Sequence, residues 1–198
     1  MKGETMTYMK YLAVAGLAGV IGAYAVTGQA AITSQEFIST TKAPKPEYSI
    51  ALHGQDETMV GGALISKAPK GLFLMVDIYN LPEGWHSIHF HGKGDCSDHA
   101  DHFKKSGGHA AKEGQEHGFF SENGPHSGDL PNFYVGKDHR AKFHVYTTDM
   151  TLEQLTDEDG TALIIHEKAD DYASQPAGDA GDRLACGVVT AIPFKLEQ

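Results

Sequence analysis

Apolar and polar residues alternate in short runs along most of the chain after residue 47. The clearest run, GLFLMVDIYNL from Gly71, has an apolar side chain at every second position. Seven other segments have strand-like patterns: YSIALHG from Tyr48, MVGGALIS from Met59, WHSIHFH from Trp85, NFYV from Asn132, AKFHVYT from Ala141, ALIIHE from Ala162 and ACGVVTAIPF from Ala185. No segment of this part has a convincing amphipathic helical pattern. Eight strands joined by turn-rich loops predict an all-β domain, an antiparallel sandwich or barrel.

The connection between the fourth and fifth strands is unusually long. Residues 92–131 are rich in Gly, His and Asp and have no apolar periodicity. A loop of this length is either disordered or held by something other than a hydrophobic core.

The first thirty residues differ from the rest. Lysines at positions 2 and 10 precede an apolar run at residues 11–26, and small residues follow at Gly28 and Ala30. This pattern predicts a secretory signal peptide over residues 1–30. The alternative is an uncleaved membrane anchor, but the run of 16 residues is short against the roughly 20 needed to span a bilayer. Residues 31–46 then read as a flexible linker and residues 47–198 as one domain.

Net charge and cysteine content indicate which partners and which cell compartment suit the protein. The formal net charge is −10, and it becomes −11 without residues 1–30, which contribute two lysines and one glutamate. An acidic chain repels phosphate backbones, so we expect no nucleic-acid partner. We expect a periplasmic or secreted location with no stable membrane insertion after signal cleavage. There an even number of cysteines, Cys96 and Cys186, favours a disulfide over two buried thiols.

The twelve histidines suggest chemistry only where their spacing lets them converge. His89 and His91 are two residues apart on a predicted strand, so both rings point to one face. Such a pair alone is more often a polar strand edge than a pair of metal ligands.

The long loop adds His109, His117, His126 and Asp129 at separations of eight, nine and three residues. Three imidazoles and a carboxylate can form a closed tetrahedral zinc site, which would also hold the loop. A solvated His-rich loop is the alternative on spacing alone. His166, at the end of a predicted strand, is followed four residues later by Asp170, and Arg183 lies near Cys186.

Taken in order, these motifs carry a resemblance. H-x-H, a cysteine, GGH, HSGDLPN, HEKADD and GDAGDRLACGV resemble the copper/zinc superoxide dismutases, and CSDHADHFKKSGG resembles their secreted bacterial branch. The similarity extends from about Tyr48 to Ile192. It implies an eight-stranded antiparallel Greek-key barrel, an immunoglobulin-like sandwich, with a long metal-binding loop.

The resemblance also implies a site. Matching motifs make His109 a ligand shared by one copper and one zinc per subunit, and they make Asp170 the carboxylate that links a copper-bound imidazole to a zinc-bound one. Arg183, which guides the anion, and His109 would be catalytic, and Cys96 would pair with Cys186. The remaining copper ligands are then His89, His91 and His166, and the remaining zinc ligands His117, His126 and Asp129.

Some positions depart from the family pattern without removing a ligand. Ser87 stands where a glycine is usual before H-x-H, so altered packing is expected beside the copper strand. The usual Phe-Asn-Pro after the bridging histidine is replaced by residues 110–112, and the last motif has Asp179 after its glycine.

The implied activity is disproportionation of superoxide anion to oxygen and hydrogen peroxide. A catalytically silent relative that binds or buffers copper is the main alternative, and a copper-only relative is another. The family has both homodimers and monomers, so either state is compatible with the sequence. His86 is expected to be structural, and His99 and His102 to lie on a loop surface or to form an accessory metal patch.

Overall fold

The structure is a computed structural model that describes residues 45–192. The predicted signal peptide and all but the last two residues of the predicted linker lie outside the described residues. Within residues 45–192, no helix has the length and apolar character needed to cross a membrane.

The regular secondary structure of the described residues is nearly all β-strand. Its strands are β1 (Tyr48–Gly54), β2 (Met59–Ala68), β3 (Gly71–Tyr79), β4 (Gly84–His86), β5 (Ile88–His91), β6 (Phe133–Val135), β7 (Arg140–Thr147), β8 (Ala162–His166) and β9 (Arg183–Ala191). Each predicted strand is found. The fourth is divided at Ser87 into β4 and β5, so eight predicted strands become nine segments.

The strands form one curled antiparallel sheet and a small second one. The large sheet has the order β5-β8-β9-β1-β2-β3-β7, and β4 pairs with β6. Since β4 and β5 are separated by a single residue, they connect the two sheets and give the predicted barrel-like arrangement. The pairing of β5 with β8 joins segments distant in sequence, with His91 opposite Ala162.

Alternation of side chains explains where the core lies. Leu72, Leu74, Val76 and Ile78 of β3 are at most 3% exposed and pack in the main apolar cluster. In β5, Ile88 and Phe90 belong to that cluster. His89 and His91 occupy the alternate positions, so they point away from the main core although they are also buried.

A short helix was not predicted. It is α1 (Leu152–Leu155), and it begins at Thr151, whose hydroxyl accepts from the Gln154 backbone N–H at 3.2 Å while the Gln154 side chain accepts from the Thr151 N–H. The T-x-x-Q pattern of this capping box was the available signal. Four residues are too few for an amphipathic pattern.

Candidate metal centre

The long loop packs against β5 through its backbone. The Phe90 N–H donates to Gly128 O, and the Phe90 carbonyl accepts from Ala110 N–H at 2.8 Å. A β-carbon at Gly128 would lie 2.2 Å from Phe90 O, so this approach requires glycine. Bridges between His89 and Asp129 and between His91 and His109 complete the contact. The loop is therefore ordered, and two of its polar residues lie directly beside the histidines of β5.

Three histidines from three parts of the chain converge on one point. Ring nitrogens of His89, His109 and His166 all lie within 4.8 Å of one another. His91 is outside that tight group, and its ring centroid lies 5.1 Å from that of His109 and 5.7 Å from that of His166.

Each of these four rings has one buried nitrogen without a hydrogen-bond partner. A buried polar atom without a partner is costly, so their common position needs an explanation. Neutral imidazole nitrogens are good ligands for copper and zinc, and a metal ion fits this set of donors. The other nitrogen of each ring does have a hydrogen-bonding contact. The atoms without a partner are His89 Nδ1, His91 Nε2, His109 Nε2 and His166 Nε2.

A second group forms around one carboxylate oxygen. Asp129 Oδ1 lies 2.8 Å from His109 Nδ1, 3.1 Å from His117 Nδ1 and 3.6 Å from His126 Nδ1. Asp129 Oδ2 accepts from the backbone N–H groups of Gly118 and His126. Because the ligand atoms of these four side chains lie within 4.8 Å of one another, the group has the composition and proximity of a tetrahedral zinc site.

His109 takes part in both groups. Its Nδ1 faces Asp129, and its Nε2 is among the unpartnered nitrogens beside His89 and His166. Burial lowers the pKa of His109 to about 4. Burial, with the charges of neighbouring rings, also holds the pKa values of His91 and His166 well below their usual range. These three rings are therefore neutral at pH 7, the protonation state that binds metal.

His117 behaves differently. Burial favours its neutral ring, but hydrogen bonds to Asp129 at 3.1 Å and to Asp170 at 2.9 Å outweigh burial and raise the pKa of His117 to about 9. Burial opposes the charged carboxylate of Asp129. Hydrogen bonds from His109, His117 and His126 outweigh burial and hold the pKa of Asp129 far below its usual range.

Zinc uptake by the metal-free protein is therefore expected to release about one proton at pH 7, because His117 must lose its proton to offer Nδ1 to the ion. The release should disappear above pH 9, where His117 is already neutral. Calorimetric titration with zinc in two buffers of different ionisation enthalpy measures the proton count. A count near zero at pH 7 would contradict a protonated His117.

Asp170 connects the two groups. Its Oδ2 accepts from His89 Nε2 and its Oδ1 from His117 Nε2, both at 2.9 Å. The amide of Asn132 holds the Asp170 backbone, accepting its N–H at 2.9 Å and donating to its carbonyl at 2.8 Å. Sequence reasoning missed Asn132, because a contact of a side chain with a distant backbone leaves no periodic signal.

Arg183 lies at the start of β9, beside an open pocket of about 450 Å³ that is also lined by His166. Its Nη1 donates to Phe103 O at 2.7 Å and to Ser106 Oγ at 3.1 Å, and its Nη2 donates to Gly107 O at 2.8 Å. These partners are neutral oxygens, so they orient the guanidinium without neutralising its charge.

A disulfide joins Cys96 to Cys186, with Cα atoms 5.8 Å apart. It connects β9, three residues beyond Arg183, to the loop segment that supplies the arginine's acceptors. The predicted disulfide is thus present.

The remaining polar residues near the site have mostly local roles. Ser87 is fully buried and its hydroxyl donates to Lys168 O, so the residue that replaces glycine gains a partner. Both ring nitrogens of His86 contact backbone carbonyls, those of His166 and Pro82. His102 contacts the side chain of Gln55 at 3.0 Å, and His99 contacts Gly54 O at 3.4 Å.

Comparison with known proteins agrees with this geometry. A family model described as copper/zinc superoxide dismutase (SODC) matches residues 59–189. The chain belongs to the copper/zinc superoxide dismutase family. The family predicted from the motifs is confirmed, and so is its β-barrel fold.

Relatives within this superoxide dismutase family include enzymes and proteins named only as similar to them. The superoxide dismutase [Cu-Zn] of Caulobacter vibrioides is 36% identical over 136 residues, which cover 65% of this chain and 77% of that protein. Superoxide dismutase-like protein YojM of Bacillus subtilis is 40% identical over 107 residues, 52% of this chain and 54% of YojM.

Solved structures of the superoxide dismutase fold are similar as well. A SOD-like protein from Bacillus subtilis matches with a TM-score of 0.66 and 34% identity, covering 71% of this chain and 96% of that one. The Cu/Zn superoxide dismutase from Brucella abortus matches with a TM-score of 0.60 and 27% identity, covering 72% and 99%.

Proposed function

We propose that this protein is a superoxide dismutase that converts superoxide anion to oxygen and hydrogen peroxide. The observation that carries the proposal is the set of four buried imidazole nitrogens without partners. One of these rings, His166, lines the same pocket as Arg183. His89, His91, His109 and His166 would hold copper. His109, His117, His126 and Asp129 would hold zinc.

The metals and the protein have separate tasks. Bound copper would supply an ion that alternates between two oxidation states, which zinc cannot do. His109 would hold or release a proton at Nε2, the nitrogen on the side of the proposed copper ligands, while its Nδ1 faces Asp129. Asp170 keeps the rings of His89 and His117 in orientation by accepting their N–H groups.

Arg183 would capture the substrate. The net charge of −10 works against an approaching anion, so a local positive charge must dominate the field at the pocket. The guanidinium keeps its full charge because it is held by carbonyl and hydroxyl oxygens. Its planar donors can also hydrogen-bond superoxide.

We further propose export of the protein to the periplasm or the cell exterior. A signal peptide at residues 1–30, a linker at residues 31–46 and an enzyme domain at residues 47–198 suit such a location, and the disulfide is stable there. The domain would act as a homodimer or a monomer.

The alternative function is copper binding or buffering without catalysis. The similarity to proteins named SOD-like favours it, because membership in the family does not by itself include activity. Arg183 argues for catalysis, since storage of copper has no need of an oriented arginine beside the metal. A copper-only protein would leave the approach of three Nδ1 atoms to Asp129 without a purpose.

Two measurements on one preparation of the exported domain distinguish catalysis from copper buffering and from a copper-only protein. After loading with copper and zinc, the metal content and the rate of superoxide loss are measured on the same sample. We expect one copper and one zinc per chain together with rapid superoxide loss. Full copper loading without activity would instead support buffering, and copper without zinc would support the copper-only form.

A further inference from the structure

Gln175 makes a contact that none of the ligand assignments uses. Its side-chain Oε1 accepts from the backbone N–H of His117 at 3.0 Å, and its Nε2 donates to the backbone carbonyl of His117 at 2.8 Å. The amide thus pairs with both polar groups of one residue, as a neighbouring strand would. We call this pair of bonds the Gln175 clamp.

The clamp acts on the backbone of a residue whose ring is already fixed. The ring of His117 is held at Nδ1 by Asp129 and at Nε2 by Asp170. With the clamp in place, the backbone and both ring nitrogens of His117 have partners. A metal ligand whose backbone and ring are both held in place loses little conformational freedom when it binds an ion, and this raises its affinity for the metal.

Gln175 belongs to a different part of the chain from His117. Residues 171–182, here called the rim segment, contain no helix or strand and line the pocket beside Arg183. Tyr172 of the rim segment also contacts the long loop and Asn132, the residue that follows this loop. Its carbonyl accepts from Phe120 N–H, its ring lies 5.0 Å from that of Phe119, and its hydroxyl accepts from Asn132 N–H.

We propose that Gln175 is a positioning residue for His117 and that the clamp couples zinc binding to the order of the rim segment. The inference rests on the zinc site of the proposed function. Since coupling is reciprocal, zinc stabilises the pocket wall to the extent that the clamp strengthens zinc binding. The wall against which the anion binds is then more ordered with zinc than without it.

The test replaces Gln175 with methionine, which keeps the length of the side chain. It removes both hydrogen bonds of the clamp, together with the longer contacts of Nε2 with Ser121 Oγ at 3.2 Å and Ala173 O at 3.1 Å. Zinc alone is titrated into the metal-free protein in competition with a chromophoric chelator. We expect the Kd of the tightest zinc site to rise roughly 10- to 100-fold, the usual effect of losing a residue that orients a ligand. Hydrogen exchange of residues 171–182 is measured with and without zinc, and the protection by zinc should largely disappear in Gln175→Met.

Ser174→Ala is the matched control. It removes the contact of Ser174 Oγ with Asp171 within the same rim segment and leaves the clamp intact, so zinc affinity should stay at the wild-type value. Equal losses in the two variants would overturn the inference, because general loosening of the segment would then explain both. Wild-type affinity and protection in Gln175→Met would also overturn it. If the wild-type protein binds no zinc, the proposed zinc site fails, and the inference with it.

Discussion

Replacing Asp170 with alanine is expected to weaken zinc binding roughly 10- to 100-fold and to destabilise the metal-free protein by about 3–5 kcal/mol. The carboxylate is 3% exposed and accepts from His89 and His117, so its removal leaves two buried N–H groups without an acceptor. Chelator competition measures zinc affinity, and urea unfolding of the metal-free protein measures stability.

The same variant should change the acid sensitivity of the metal-free protein. Burial opposes the charge of Asp170, but the hydrogen bonds from His117, His89 and Tyr172 N–H outweigh it and hold the pKa of Asp170 well below its ordinary value of 3.8. A carboxyl group with a lowered pKa in the folded state stabilises the fold above its ordinary pKa, and this stability is lost as pH falls toward the lowered value. The stability of Asp170→Ala should therefore fall less steeply below pH 4.

Asp171→Ala is the control for both measurements. This neighbouring carboxylate is exposed and contacts only the nearby Ser174 and Ala173. It should bind zinc as the wild-type protein does. If Asp170→Ala also retained wild-type affinity and stability, the proposed link between the two metal groups would be wrong.

Replacing Arg183 with methionine is expected to lower kcat/KM for superoxide by about 10-fold or more while copper stays bound. Arg183 supplies none of the four nitrogens that would bind copper, so copper is expected to stay bound. Loss of a local positive charge should also weaken the dependence of the rate on salt. Pulse radiolysis at several ionic strengths, with copper analysis of each sample, measures both.

Two other substitutions test what Arg183 contributes. Arg183→Lys keeps the charge but cannot reproduce the fork held by Phe103 O, Ser106 Oγ and Gly107 O, so an intermediate rate is expected. Lys168→Met removes an exposed positive charge two residues from His166 and should change the rate little. An unchanged rate in Arg183→Met would show that another group captures the anion.

Sequence patterns predicted the strands in which alternate residues of one short segment face the same core. The alternation in β3 reflects a strand with its apolar face in the main core, and it was visible within nine residues. The division of strand four was not visible, because Ser87 fits a strand pattern. It depends on bonds to a distant segment: the Ser87 backbone N–H donates to Lys168 O, and its carbonyl accepts from His166 N–H.

The candidate site likewise has one part that local spacing predicted and another part that it could not predict. Spacing alone suggested that His109, His117, His126 and Asp129 could surround one ion, since these residues lie in one loop. The family resemblance supplied the link to His89, because nothing local connects β5 with residues of the loop or of β8. The Gln175 clamp could not be predicted at all, as it joins a side chain to a backbone 58 residues away.

The pairing of β5 with β8 brings together two of the proposed copper ligands. His89 and His166 lie on strands that become neighbours only after a long loop has closed, which is a slow step in folding. Before that step His166 cannot join the histidines of β5 in one copper site. We therefore expect the proposed copper ion to bind after β5 has paired with β8 and not to nucleate the folding of the barrel.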